Sequence, residues 1–222
     1  MISRNTHAAA LTRRGVLAAG AGSVILAGCG GGLLSPSQDP LQIYVLKPPL
    51  QKLEGLPEVA WQLTIAEPDV EQSLQTVRIA LQRGQMMDFF ANAQWTDPTP
   101  ELLQSLLVQA FETSGCIRGV GRESEGIRGD VVLETEIRSF QANYQDETGA
   151  PDIVVAIAAR LLTSGRGQVV GTFVTSYDVR ASQNSVPAVV EAFDKATGQS
   201  LEDVVRWTLT AGQANGVVSK RS

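Results

Sequence analysis

The chain has 222 residues, 43% of them hydrophobic and 18% charged, with a formal net charge of −5. That much aliphatic material builds a core of single-domain size and excludes a disordered chain; the acidic balance excludes nucleic acid as the main partner, because phosphate binding needs a basic face. One histidine and two cysteines remove most metal sites and most acid–base chemistry, and 21 Gly and 10 Pro without a fixed period exclude collagen and repeat arrays.

The first segment reads as an address. Residues 1–14 carry Arg4, Arg13 and Arg14 and no acid, and an apolar stretch follows from Val16 to Ala27. Twelve residues fall short of the roughly 20 that a spanning helix needs, so the pattern is that of a secretory signal. Its end, Leu26-Ala27-Gly28-Cys29, matches the bacterial lipobox. There the Cys thiol accepts the lipid and the chain is cut just before it. This assigns residues 1–28 as a signal peptide and Cys29 as the lipidation site; an unmodified Cys at an ordinary cleavage site is the plainer alternative. Thr12-Arg13-Arg14-Gly15-Val16-Leu17 also resembles the twin-arginine export signal. The general secretory route stays open beside it, and both end in the periplasm. Gly30, not Asp, follows the Cys, which favours outer-membrane over inner-membrane delivery.

Loss of residues 1–28 takes three arginines from the 18 basic residues and nothing from the 23 acidic ones, so the charge moves from −5 to −8. The only histidine, His7, is lost too. Cys116 is then the sole cysteine besides the acylated one, so no intrachain disulfide forms between free thiols.

Residues 29–40 end in the Gly-, Ser- and Pro-rich run GGGLLSPSQDP and read as a lipidated N-terminus with a flexible tether. The domain is expected over 41–212 and a frayed tail over 213–222. Gln42–Leu46 reads as a strand ended by Pro48-Pro49, Val59–Ala66 as a second strand and Thr76–Leu81 as a third. Gln85–Trp95 is aromatic and extended, with an ambiguous period. Thr99 is expected to cap the first helix, with Pro100 in its first turn, Leu103, Leu106, Leu107 and Ala110 on one face and Gly115 as its stop. A short strand near Ile117–Val120 and a charged turn follow. Three longer strands come next, Asp130–Tyr144, Ile153–Leu162 and Gln168–Val179, joined by hairpin turns at DETGAP and SGRG. The second helix starts after Ser185 and keeps helical spacing to Thr208 across Gly198; two helices broken there are the rival reading. The pattern is that of an α/β or α+β sheet covered by helices.

Few residues in this chain carry a chemical signature. Glu134 and Glu136 share a strand face about 7 Å apart, a spacing open to an inverting glycosidase pair. A solvated strand face with Glu136 beside Arg138 explains them more simply. Cys116 has no histidine to activate it in the mature chain and reads as a small buried hydrophobe. Gly119-x-Gly121, with Gly126 too late for a phosphate loop, reads as a turn. No catalytic residue, cofactor site or metal site emerges. Phe89, Phe90, Trp95 and Tyr144 are expected mostly in the core, and any left outside would form a contact patch.

Together, Cys29, the opening strand Ile43-Tyr44-Val45-Leu46, Val77-Arg78-Ile79-Ala80, Ala93-Gln94-Trp95-Thr96-Asp97 before the first helix, Leu133 to Phe140 and Val189-Val190-Glu191-Ala192-Phe193 resemble the ABC-type transport auxiliary lipoprotein family. Ile43 stands where many members have a second aromatic. The resemblance implies an α/β domain with a mixed β-sheet sandwiched by helices, similar to the N-terminal domain of the translocation protein TolB, and no enzymatic activity. It implies a lipid transporter of the Mce/Mla or paraquat-inducible type as partner, made of an ATPase, a permease and an Mce-domain protein, with the membrane reached through the lipid on Cys29. A homo-oligomer is left open. An envelope-assembly lipoprotein binding a cell-wall synthase or a Tol-Pal-type partner is the alternative.

Overall fold

The computed structural model describes residues 40–146, 148–165 and 167–217. The leader, Cys29 and the tether up to Asp39 lie outside the described residues, as do the last five residues of the expected tail. In chain order, β1 (Gln42–Tyr44), β2 (Val59–Ile65), β3 (Asp69–Val70), β4 (Arg78–Arg83) and β5 (Met86–Trp95) precede α1 (Thr99–Ser114). Then β6 (Ile117–Arg122), β7 (Val131–Tyr144), β8 (Asp152–Thr163) and β9 (Val169–Arg180) precede α2 (Val186–Ala214).

These strands make one mixed sheet built around β7. Along one edge β7 takes three parallel partners in turn: β2 at Val131–Leu133, β3 at Glu136–Ile137 and β4 at Ala142–Tyr144. Along its other edge it pairs antiparallel with β8, which pairs antiparallel with β9, as the two expected hairpins require. β6 adds parallel to β2, while β5 and then β1 continue outward from β4.

Side-chain alternation on β7 changes phase once. Val131, Leu133, Thr135 and Ile137 are buried, and after them Phe140, Ala142 and Tyr144. The register against β8 shifts between Ile137 and Ser139. A bulge of this kind adds one residue, and because the side-chain period is two, one residue swaps the faces.

The sandwich has two layers. α1 and α2 pack side by side over one face of the sheet. Their contact residues are the expected apolar stripes, Leu103, Leu106, Leu107 and Phe111 on α1 and Val189, Phe193, Leu201, Val204 and Val205 on α2. Phe193 joins the layers, its ring centroid 4.8 Å from that of Phe140 on β7 and 5.2 Å from that of Trp95 on β5. All three rings are sealed from solvent. On α1, Gln104 donates from its side-chain amide to the Ile65 carbonyl at the end of β2, 3.1 Å away.

Some element boundaries differ from the expected ones. Pro98, not Thr99, stands at the N-cap of α1, since the Pro98 carbonyl accepts the first helical hydrogen bond, from Leu102. Thr99 turns its amide and hydroxyl to the Thr76 carbonyl instead, 3.2 and 3.3 Å away, and so cannot cap. That contact also holds Thr76 out of the third strand, which starts at Arg78. Gly115 ends α1 in the left-handed region at φ 68°, as expected. Gly119 and Gly121 lie inside β6, not in a turn, and Gly126 closes a 3-10 turn over Glu123–Glu125. The short β3 had no counterpart among the expected strands.

α2 is one unbroken helix, so the reading with two helices is set aside. It also runs on to Ala214, which takes Gln213 and Ala214 out of the expected frayed tail. Its glycines serve close packing. A Cβ at Gly198 would stand 2.9 Å from the Cδ of Pro49, and one at Gly212 would stand 2.6 Å from Cζ2 of the buried Trp61 indole. Alanine inside a helix is worth about 1 kcal/mol over glycine, whereas overpacking a rigid core costs about 1–3 kcal/mol. At Gly212 the second effect wins, because a sealed indole has nowhere to move. We expect Gly212→Ala to lower unfolding free energy by about 1–2 kcal/mol in urea titration, against its helix propensity.

Candidate interaction surface

With both helices on one side, the other face of the sheet points outward. β7 presents Glu134, Glu136 and Arg138 there, β8 presents Arg160, and β9 presents Thr172 and Val174. With Glu67 and Asp69 from the segment after β2, they line an open concavity of about 580 Å³. The two glutamates share a face as their spacing requires. Glu134 lies 3.3 Å from the Arg160 guanidinium and Glu136 lies 3.5 Å from that of Arg138. All four side chains are about half exposed, so each pair is solvated and worth about 1 kcal/mol or less. A carboxyl that acts as general acid is held in its protonated form by an apolar pocket. Neither glutamate has such surroundings.

Cys116 is buried between α1 and β6 and packs as a small apolar group, its Sγ 3.3 Å from the Ser114 carbonyl. Of the four aromatics singled out above, Trp95 and Tyr144 belong to the core and Phe89 and Phe90 pack half-buried against it. The Tyr144 hydroxyl donates to Asn184 Oδ1 at 2.8 Å. Burial raises its pKa above the ordinary tyrosine value, and the Arg83 guanidinium over the ring, 5.0 Å from its centroid, works against that rise. Tyr177 donates to Asp203 at 2.7 Å, and that bond, burial and the nearby Asp203 and Glu202 charges raise its pKa in turn.

A second surface lies at the opposite margin of the sheet. β1 pairs with β5 through Ile43↔Gln94 and Tyr44↔Trp95. Trp95 is in the core, so Ile43 and Gln94 point outward, with Arg78 next along the same row on β4. Leu41, Ile43 and Val45 alternate with the inward Tyr44 and Leu46 and remain at least half exposed. The Arg78 guanidinium covers the Phe89 ring at 4.0 Å. Met86 and Met87 are exposed at the tip of the β4–β5 hairpin. β5 reaches β1 through an irregular stretch in which Asn92 has φ 53°, and this bulge is why the period of the segment was ambiguous. Sequence reasoning missed this patch. The signal was an opening run apolar on both faces, LQIYVL, on a strand with only one neighbour among the described residues.

The chain leaving β1 is tied to α2. The backbone amide of Lys47 donates to Asp194 Oδ1 at 2.6 Å. Burial raises the Asp194 pKa above the ordinary carboxylate value and the Glu191 charge adds to the rise, while the bond from Lys47 and the Lys47 charge oppose it.

A mixed-sheet α/β domain with its helices paired on one face also occurs in solved structures. A crystal structure of a Xanthomonas campestris protein superposes with a TM-score of 0.74 at 29% identity, covering 80% of this chain and 99% of that one. An uncharacterised protein, at TM-score 0.59 and 16% identity, covers 75% of this chain and 97% of its own and shares the fold alone. Over residues 44–205 the sequence matches the family described as ABC-type transport auxiliary lipoprotein component, and the chain belongs to that family. That family is described as the lipoprotein component auxiliary to ABC-type transport. An uncharacterised protein of Bradyrhizobium diazoefficiens is 28% identical over 168 residues, 76% of this chain. The match takes in 45% of that relative, so the chain spans less than half the relative's length.

The Asp194 geometry sets the sign of a pH effect. A carboxyl whose folded pKa is raised binds its proton more tightly in the folded state, so its contribution favours folding below the ordinary pKa and is lost as pH rises through the raised value. An asparagine in its place would keep the acceptor for the Lys47 amide without a half-buried charge. We expect Asp194→Asn to raise the melting temperature at neutral pH, with the gain fading as pH falls through the raised value and gone below about 4, where aspartate is protonated in both states. Thermal melts across that pH range check it.

Proposed function

We propose that this protein is a lipid-anchored periplasmic auxiliary subunit of an ABC-type lipid transport system of the Mce/Mla-like class, which tethers or bridges the transporter to a membrane and performs no catalysis itself. The family match over residues 44–205 carries this reading. The lipobox Leu26-Ala27-Gly28-Cys29 supports the anchor, with residues 1–28 removed, 29–40 as tether and 41–212 as the working domain. Two or more acyl chains on Cys29 would hold the protein stably where one chain holds only marginally. A tether converts a bimolecular encounter into one at high effective concentration, so the domain needs no large interface to stay with its ATPase, permease and Mce-domain partners. Gly30 after the cysteine favours the outer membrane. A bridge across the periplasm to a permease in the inner membrane is the role that follows.

Cys29→Ala is expected to release the protein from membranes under a high-salt wash, and retention would refute the anchor. Crosslinking a C-terminally tagged chain in intact cells, followed by mass spectrometry, is expected to recover an ATPase, a permease and an Mce-domain protein together. Cell-wall synthases or Tol-Pal components recovered without them would replace the transport reading with an envelope-assembly role.

A further inference from the structure

Five of the eight large apolar side chains exposed among the described residues belong to β1, its immediate flanks and the β4–β5 hairpin tip: Leu41, Ile43, Val45, Met86 and Met87. Ile43 is 59% exposed and Met86 70% exposed. Pairing and alternation place Leu41, Ile43, Val45, Met87 and the half-buried Phe89 on the outward face, beside Gln94, Arg78 and Gln82, with Ala80 covered beneath Phe89. That row contains one cation, Arg78, and no carboxylate, in a chain whose mature side-chain charge is −8 once three arginines leave with residues 1–28. Leu41, the first of these apolar residues, stands twelve residues after Cys29. A Gly- and Ser-rich tether of that length has a root-mean-square reach of about 20 Å.

We infer that this outward face of β1, β5 and β4 is the surface that the protein lays against the bilayer holding its own acyl chains, with Arg78 facing anionic lipid headgroups. The inference rests on lipidation at Cys29. The anchor brings β1 to the bilayer, and the apolar row then gives the domain one preferred orientation on it. On the same bare face, Glu134 and Glu136 are paired with Arg160 and Arg138 and lie around β7–β9, at the opposite margin of the sheet from β1. In that orientation the helix layer faces the periplasm, since it covers the opposite side of the sheet.

The test uses the full-length, acylated protein reconstituted in vesicles of phosphatidylethanolamine and phosphatidylglycerol that contain a spin-labelled phospholipid as quencher. An environment-sensitive fluorophore is attached at Ile43→Cys or, on the exposed side of α2, at Gln199→Cys, each in a Cys116→Ala background. Both positions are exposed, so neither label disturbs the core. The expected result is loss of fluorescence from the probe at 43 and none from the probe at 199. Equal quenching at the two sites, or shielding at 43 that depends on protein density and not on the quencher, would overturn the inference; the second result would mean that another copy covers the face. Vesicle flotation and intact mass on the same sample separate the two levels. Protein that floats with acyl chains but shows no difference between probes sinks the docked orientation alone. Protein without acyl chains sinks the anchor and the orientation with it.

Discussion

The sheet is continuous only through β7. Without it the remaining strands fall into β1 with β5 and β4, β2 with β6, β8 with β9, and β3 alone. Three parallel partners share a single edge of one fourteen-residue strand, so the segment from β2 to β4 runs along β7 in a fixed order. Parallel neighbours cannot be joined by tight turns, and the connections between them here are long. α1 and the excursion through β5 fill one of those connections, which puts α1 on the face that α2 also covers.

The bulge in β7 lets one strand serve two halves of the core. Before it, odd-numbered residues enter the core; after it, even-numbered residues do, and put Phe140 beside Trp95 and Phe193. A regular strand continuing the first phase would send Phe140 and Tyr144 to solvent and turn the polar Gln141 and Asn143 inward in their place. The phase change is therefore a condition of having both Ile137 and Phe140 inside.

That phase change is written in the sequence, where apolar residues at 131, 133 and 137 give way to 140, 142 and 144. The expectation of a single long strand was right without using it. The hairpins and the apolar stripes of both helices were legible because each depends on local chemistry, turn residues or 3.6-residue spacing. What was not legible depends on contacts distant in sequence. Thr99 looks like a cap until the Thr76 carbonyl takes its donors, and Gly198 looks like a helix break until Pro49 fills the space beside it. The outward patch was hidden for a related reason. A run apolar on both faces reads as buried, and only the register of β1 on β5, which sets Tyr44 beside the buried Trp95, reveals that Ile43 lies on the uncovered face.

The two faces of the sheet then divide the work. A face covered by helices can hold a rigid shape, because its side chains are locked by packing. The bare face holds two kinds of surface, a solvated set of ion pairs around Glu134, Glu136, Arg138 and Arg160, and an apolar margin at β1 that those charges do not reach. Solvated ion pairs contribute little to stability, and such groups steer association and exclude wrong partners more than they add affinity. The chain thus keeps its stability in the helix-covered core and leaves solvated charges and exposed apolar side chains on the bare face.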